Sequence, residues 1–215
     1  MKTACQGRGS WHSQLGMGLL CVMLIVTLAS FERLSWGAEG DIIVEENVTY
    51  GKGGEQELKL DIARPAGNGP HPAIVFIHGG GWRGGNRMRY RKEIENAAKK
   101  GYVAATVSYR LVSVDKEKQV ANAFPAQVED VKCAVRWLRA NAAKYHVNPN
   151  KIGATGGSAG GHLSLMLGLT DSAAKLEGTG GHADQSSRVQ AVVNVYGPTD
   201  MVALHKSSSG AAPIL

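Results

Sequence analysis

Ser158 lies in the run Ile152-Gly153-Ala154-Thr155-Gly156-Gly157-Ser158-Ala159-Gly160-Gly161, a single hydroxyl set among very small residues. The pattern G-x-S-x-G between a strand end and a helix places a serine at the tip of a tight turn. Its backbone is then strained and its hydroxyl is pushed outward. Such a turn closes only when the residues two before and two after lack bulk, and here they are Gly156 and Gly160. The chemistry this suits is nucleophilic attack on a carbonyl carbon. The helix expected from Ala159 to about Leu169 would aim its free N–H groups and its positive end at the atom attacked.

Neighbouring segments supply the strand and helix that this motif requires. Lys151 and Ile152 follow the turn-like Asn148-Pro149-Asn150, and Leu163, Leu165, Met166, Leu167 and Leu169 make the following helix apolar on most of its surface. A second motif lies upstream. Pro72-Ala73-Ile74-Val75-Phe76-Ile77 reads as a buried central strand and runs straight into His78-Gly79-Gly80-Gly81-Trp82. Three glycines after a strand let backbone approach a ligand closely and direct N–H groups at it. Placed opposite Ser158, they suit the oxygen that becomes negative during attack.

The elements that must position these motifs alternate along the chain. Ile42 to Tyr50 and Glu57 to Ala63 read as a hairpin across Gly51 to Gly54. Then come the strand at 72–77, a helix from about Arg89 to Lys100, and a strand from Tyr102 to Val107. A helix from Gln127 to Ala143 follows, with the stripe Val128, Val131, Val135, Leu138 and Ala142. The strand before Ser158 and its helix come next, and last a sixth strand from Ala191 to Val195. Alternation of this kind predicts an α/β fold: a mostly parallel sheet with helices on both faces. Ser113 to Asn122 reads as a polar connection, and Asp171 to Ser187 as a solvated loop rich in glycine and serine.

His78-Gly79-Gly80-Gly81-Trp82 followed by Gly156-Gly157-Ser158-Ala159-Gly160-Gly161 resembles the α/β-hydrolase superfamily. More narrowly, it resembles carboxylesterases akin to hormone-sensitive lipase and the bacterial feruloyl and acetyl esterases (BD-FAE-like). The likeness runs from about Ile42 to Asp200. It takes in Tyr109-Arg110, Arg136-Trp137-Leu138 and the closing Tyr196-Gly197-Pro198-Thr199-Asp200. The resemblance implies an α/β-hydrolase fold opening on an antiparallel hairpin. It also implies a serine hydrolase that cleaves carboxylic esters (short-chain acyl, acetyl or feruloyl, on small molecules or on polysaccharide) through an acyl-enzyme. By that resemblance Ser158 is the nucleophile, and the backbone N–H groups of Gly80, Gly81 and Ala159 form the oxyanion hole.

In that family the triad runs serine, then an acid after the seventh strand, then histidine after the eighth. This sequence ends at Leu215, after its sixth strand. The expectation is therefore an incomplete domain lacking the last two strands, with the triad Asp and His not present in the chain and with very weak hydrolysis. His162, four residues past the serine, should lie along its own helix. His182 falls in the loop and His205 beyond the sixth strand, while His78 is expected to brace the glycine segment. Asp200 belongs to the strand-end motif. A non-catalytic hydrolase-like binding protein and a related serine peptidase or amidase are the alternative readings.

Gly79, Gly81 and Gly84 also spell G-x-G-x-x-G, a dinucleotide-binding pattern. That pattern needs an acidic residue at the end of the next strand, and 101–114 holds no Asp or Glu. Lys and Arg number 24 against 18 Asp and Glu, a net charge of +6; without Lys2, Arg8, Arg33 and Glu32 of the leader the balance is 21 against 17, and that +4 is too slight to argue for nucleic acid. Arg83, Arg87, Arg89, Arg91 and Lys92 cluster beside the glycine segment. They read as the solvated start of a surface helix, and the same cluster would attract an acidic substrate.

Lys2 and Arg8, the apolar Leu19 to Leu28, and the small residues ending at Ala38 read as a signal peptide over 1–38, ahead of one hydrolase domain over 39–215. Export to the periplasm or beyond is expected, with no stable membrane association after cleavage; an uncleaved N-terminal anchor is the alternative. Cys5 and Cys21 would leave with the leader, so that Cys133 alone remains and no intrachain disulfide forms. Cys133 is expected to point away from its helix's apolar stripe, near Trp137. No His or Cys grouping has metal-ligand spacing, so neither a metal nor a cofactor is expected.

Overall fold

The computed structural model describes residues 40–207. The predicted signal peptide and the last eight residues lie outside them.

Among the described residues there are two sheets. The larger has six strands. β1 (Ile42–Gly53) and β2 (Gln56–Pro65) form the expected antiparallel hairpin. β3 (His71–Ile77) and β4 (Val103–Val107) are short and apolar. A small separate ribbon, β5 (Ser113–Val114) and β6 (Val120–Ala121), pairs within the segment read as a plain polar connection. β7 (Val147–Gly157) leads to the serine, and β8 (Ala191–Val195) closes the large sheet, whose order is β1-β2-β4-β3-β7-β8. β2 meets β4 antiparallel, and from β4 to β8 every pairing is parallel. This is the mostly parallel sheet that the alternation predicts.

β7 begins earlier than the sequence suggests. Its partner β3 pairs His71 with Val147 and then Ala73 with Ile152, so the Asn148-Pro149-Asn150 turn is a bulge inside the strand. Asn148 Oδ1 accepts from the Asn150 N–H at 3.0 Å, which holds that bulge.

Helices cover both faces. α1 (Arg91–Lys99) sits on one, where Ile94 and Ala98 pack on Ala63 and Ala104. The opposite face carries α2 (Ala126–Ala140), the single turn α3 (Ala142–Tyr145) and α4 (Ala159–Leu169). In β4 the alternation is direct: Val103, Ala105 and Val107 face α2 and α4, while Ala104 faces α1. A last helix, α5 (Met201–Ser207), follows β8. The helix read as continuous to Ala143 breaks at Asn141, whose side chain bonds back to the Trp137 carbonyl at 2.9 Å.

α2 has almost no wet face, so its apolar stripe undercounts its burial. Cys133 is fully buried, with Sγ 3.6 Å from the Tyr50 carbonyl, and so points into the packed interior. Lys132 is also fully buried. Its ammonium donates to the Thr170 carbonyl (3.0 Å), Glu177 Oε1 (2.9 Å) and Ser187 Oγ (3.2 Å). Arg136 donates to Glu177 Oε2 at 2.8 Å and to the Gly181 carbonyl at 3.0 Å. These bonds correct the reading of 171–187 as a solvated loop. Two buried cations need a carboxylate and carbonyls, and the loop folds over α2 to supply them.

Candidate active site

The strand-helix junction at Ser158 is built from backbone contacts that only glycine permits. A β-carbon on Gly156 would meet the carbonyl of Ile77 and would stand 2.6 Å from the Gly160 carbonyl oxygen. One on Gly160 would run into the Ile77 and His78 carbonyls. β3, β7 and α4 therefore converge here. Ser158 takes φ +55° and ψ −124°, a strained setting for a residue with a β-carbon. Its N–H donates to the Val195 carbonyl at 3.0 Å, and its carbonyl accepts from the His162 N–H at 3.1 Å. The backbone is thus pinned on both sides while the residue stays exposed.

The glycine segment reaches this junction directly. A β-carbon on Gly79 would stand 2.7 Å from the Gly157 oxygen and 3.3 Å from the Ser158 β-carbon. Gly80 adopts φ +115°, and its carbonyl accepts from the Arg83 and Gly84 N–H groups (3.1 and 3.0 Å), closing a tight loop. Gly81 adopts φ +58°, with open space where a side chain would project. Among the described residues, the N–H groups of Gly80, Gly81 and Ala159 donate to no protein acceptor. Three free donors thus belong to segments that adjoin one exposed hydroxyl.

Histidine and tyrosine side chains support this loop from beneath. His78 Nδ1 lies 2.8 Å from the Gly79 carbonyl, so that nitrogen carries the proton and donates. Its ring stacks on Tyr109 at 4.2 Å, and the Tyr109 hydroxyl donates to the His78 carbonyl at 2.9 Å. Burial holds the His78 pKa below the ordinary imidazole value and lifts the Tyr109 hydroxyl above its own. His162 presents its ring to the Trp82 ring, edge to face at 5.4 Å, and burial lowers its pKa too. Among the described residues no histidine bonds the Ser158 hydroxyl. His205 lies on the exposed α5, and Asp200 Oδ1 caps that helix through the Ala203 N–H at 2.8 Å.

Beside the junction is an apolar cavity of about 320 Å³. Its walls include Trp82, next in sequence to Gly81, together with Phe124, Val128, His162, Leu163 and Met166.

The arginine cluster is not one patch. Arg87 and Arg91 are bound to the fully buried Asp61, at 2.6 and 2.8 Å, and Arg91 also reaches Glu46 at 2.9 Å. Those two charges brace the hairpin against the start of α1. The glycine segment does not open a helix either: a 3-10 turn at Arg87–Tyr90 precedes α1. A dinucleotide fold needs its glycines at the helix start, so that alternative fails.

A family model described as BD-FAE matches residues 60–213. The chain belongs to the BD-FAE family. The probable carboxylic ester hydrolase LipM of Mycobacterium tuberculosis is 32% identical over 168 residues, covering 76% of this chain and 37% of LipM. Among solved structures, the butyrate-bound esterase Est2 of Thermogutta terrifontis superposes with a TM-score of 0.64 at 32% identity, over 78% of this chain and 58% of Est2. A truncated carbohydrate esterase from gut microbiota gives a TM-score of 0.62 at 32% identity, over 77% and 60% of the two chains. This BD-FAE chain thus spans little more than a third of its curated relative's length.

Three features of the site went unread in the sequence. Tyr90 accepts the Gly157 N–H at 3.2 Å, from far away in the chain and with no local signal. Tyr196 brings its hydroxyl to 2.9 Å from where a Gly157 β-carbon would be. Tyr196 and Tyr109 belong to the quoted likeness, which gave them no role. The Trp82–His162 pair had one available clue: each aromatic residue lies within four residues of a site residue.

Proposed function

We propose that this chain carries the nucleophile and oxyanion half of a serine hydrolase for carboxylic esters. Ser158 Oγ attacks the ester carbonyl carbon and gives up its proton to solvent water. The tetrahedral oxygen, now negative, takes hydrogen bonds from the N–H groups of Gly80, Gly81 and Ala159. Collapse expels the alcohol and leaves an acyl-serine, which water then cleaves to the acid. The observations that carry this reading are the strained, exposed Ser158, the Gly79 backbone packed against its β-carbon, and the N–H groups of Gly80, Gly81 and Ala159, which bond no acceptor among the described residues.

The carboxylic ester hydrolase and esterase relatives support ester chemistry, and the carbohydrate esterase supports esters on polysaccharide as well as on small molecules. Among the described residues no histidine bonds the hydroxyl, so the rate expected is far below that of a complete triad, in which loss of the histidine costs on the order of a millionfold. The basic start and apolar run at 1–38 support export. Among the described residues, no helix is long and apolar enough to cross a membrane.

The test is release of p-nitrophenol from p-nitrophenyl butyrate by the full chain. We expect a rate above buffer that Ser158→Ala returns to the buffer rate. Equal rates for the two proteins would overturn the proposal.

A further inference from the structure

We propose that two copies of this chain pair edge to edge through Ala191–Val195, antiparallel about a two-fold axis at Val193. β8 closes the six-stranded sheet, and its far side meets no strand among the described residues. The Val195 carbonyl accepts from the Ser158 N–H, so Val195 turns its main-chain groups toward β7. Val193 does the same by alternation, which leaves the N–H and C=O of Val192 and Asn194 pointing out from the free edge. The usual protections of an edge are missing from this strand: it holds no charge, no proline and no bulge. Its neighbours also turn away. The loop before it folds over α2, and α5 after it returns to the core through Met201 and Leu204.

A second copy is the occupant that this edge fits. Setting Val192 opposite the partner's Asn194, and the reverse, makes four main-chain hydrogen bonds, with the two Val193 side chains in contact between them. The two ends of the strand carry opposite charges, since Arg188 precedes it and Asp200 follows it. Both are exposed, and neither forms an ion pair among the described residues. An antiparallel partner brings each Arg188 to the end where the other copy carries Asp200, whereas a parallel one would match like charges. Helix α4 supplies a second layer. It has no charged residue and is apolar nearly all round, the pattern of a helix covered on every side. Yet Leu169 is 80% exposed and Leu165 only partly buried. The helix packs on both β7 and β8. A β-carbon on Gly168 would stand 2.6 Å from Val192 Cγ2, and one on Gly161 would meet Asn194 Oδ1. Leu165 shares that stripe, one turn from each glycine. Strands about 4.8 Å apart then set the two copies of α4 about 10 Å apart, the usual separation of packed helices. Leu165 and Leu169 fall in the seam between them. A two-fold contact uses each edge once and therefore closes at two copies.

The test is sedimentation velocity of the full chain over a range of concentrations. A reversible monomer–dimer equilibrium is expected, with no larger species. Val193 is 60% exposed, so Val193→Lys should leave the monomer folded. It sets two ammonium groups across the axis and should weaken dimerisation about 100-fold. Arg188→Glu, which faces the partner's Asp200, should weaken it about tenfold. If Val193→Lys fails to fold, hydrogen exchange of the unmodified chain decides: exchange of the Val192 and Asn194 amides should slow as concentration rises. A monomer at every concentration, growth past two copies, exchange at those amides that ignores concentration, or a dimer that a folded Val193→Lys leaves intact would overturn the proposal. Association through residues 1–38 would give that last result.

Discussion

Gly79 and Ser158 meet across the sheet end: a β-carbon on Gly79 would lie 3.3 Å from that of Ser158. Motifs about eighty residues apart thereby become one site, because β3 and β7 are parallel neighbours and end together. The contact also leaves no slack. The Gly156 and Gly160 backbones press on the Ile77 carbonyl from the same junction.

Gly160→Ala therefore forces main-chain carbonyls apart rather than displacing a flexible side chain. We expect a loss of about 3 kcal/mol, at the upper end of overpacking costs. Urea denaturation of wild type and variant measures it. A midpoint within error of wild type would contradict the packing.

Ser158 pays for its exposure in backbone strain, since φ +55° with a β-carbon costs about 1 to 3 kcal/mol. Ser158→Gly relieves the strain, and the entropy glycine loses on folding offsets only part of the gain. The expected result is a protein about 1 kcal/mol more stable and unable to form an acyl adduct. Equilibrium unfolding, read beside ester-labelling mass spectra, checks both halves.

Much of this arrangement was legible in the sequence because it depends on local rules. A serine flanked at two residues by Gly156 and Gly160, and a strand running into Gly79-Gly80-Gly81, each dictate their own backbone. The alternation of elements then brings the two strands side by side. What escaped was set by distant contacts. Lys132 and Arg136 look like solvated helix charges until Glu177 arrives from 45 and 41 positions away. Arg87 and Arg91 look like surface charges until Asp61 is placed beside them. Cys133 points away from the stripe yet is fully buried, because a stripe count assumes that a helix has one wet face and α2 has almost none.

The Glu177 contact gives an asymmetric expectation. Glu177→Ala strands the fully buried Lys132 ammonium, at a cost of about 3 kcal/mol. Lys132→Met leaves Glu177 partly exposed and still paired with Arg136 at 2.8 Å, so it should cost about 1 kcal/mol or less. Thermal or urea unfolding of the two variants ranks them. Equal costs would show that the loop is not held by this charge.

Acid should weaken the fold before the carboxylates protonate. Burial holds His78 and His162 below the ordinary value of 6.5, so both are neutral when folded. Below pH 6.5 the unfolded chain binds protons that the folded chain does not, and stability falls as pH drops through that value. Burial pushes the Asp61 and Glu177 carboxyls up, but hydrogen bonds outweigh it and leave both below the ordinary value: the Asn47 N–H, Arg87 and Arg91 on Asp61, and Lys132 and Ser187 on Glu177. Their contribution is present above the ordinary carboxylate range and is lost only at lower pH. Urea midpoints at about pH 7, 6 and 5 should decline, and His162→Gln should flatten the slope by up to one proton, about 1.4 kcal/mol per pH unit. An unchanged slope in that variant would show that its ring is protonated in the native state.

The most direct measurement is peptide mass spectrometry of the full chain after exposure to p-nitrophenyl butyrate, with acyl occupancy quantified at every serine. The account predicts that the butyryl group accumulates on Ser158 well ahead of every other serine, and that Ser158→Ala removes that adduct without creating another. Acyl groups scattered over surface serines, with Ser158 no more reactive than the rest, would contradict it.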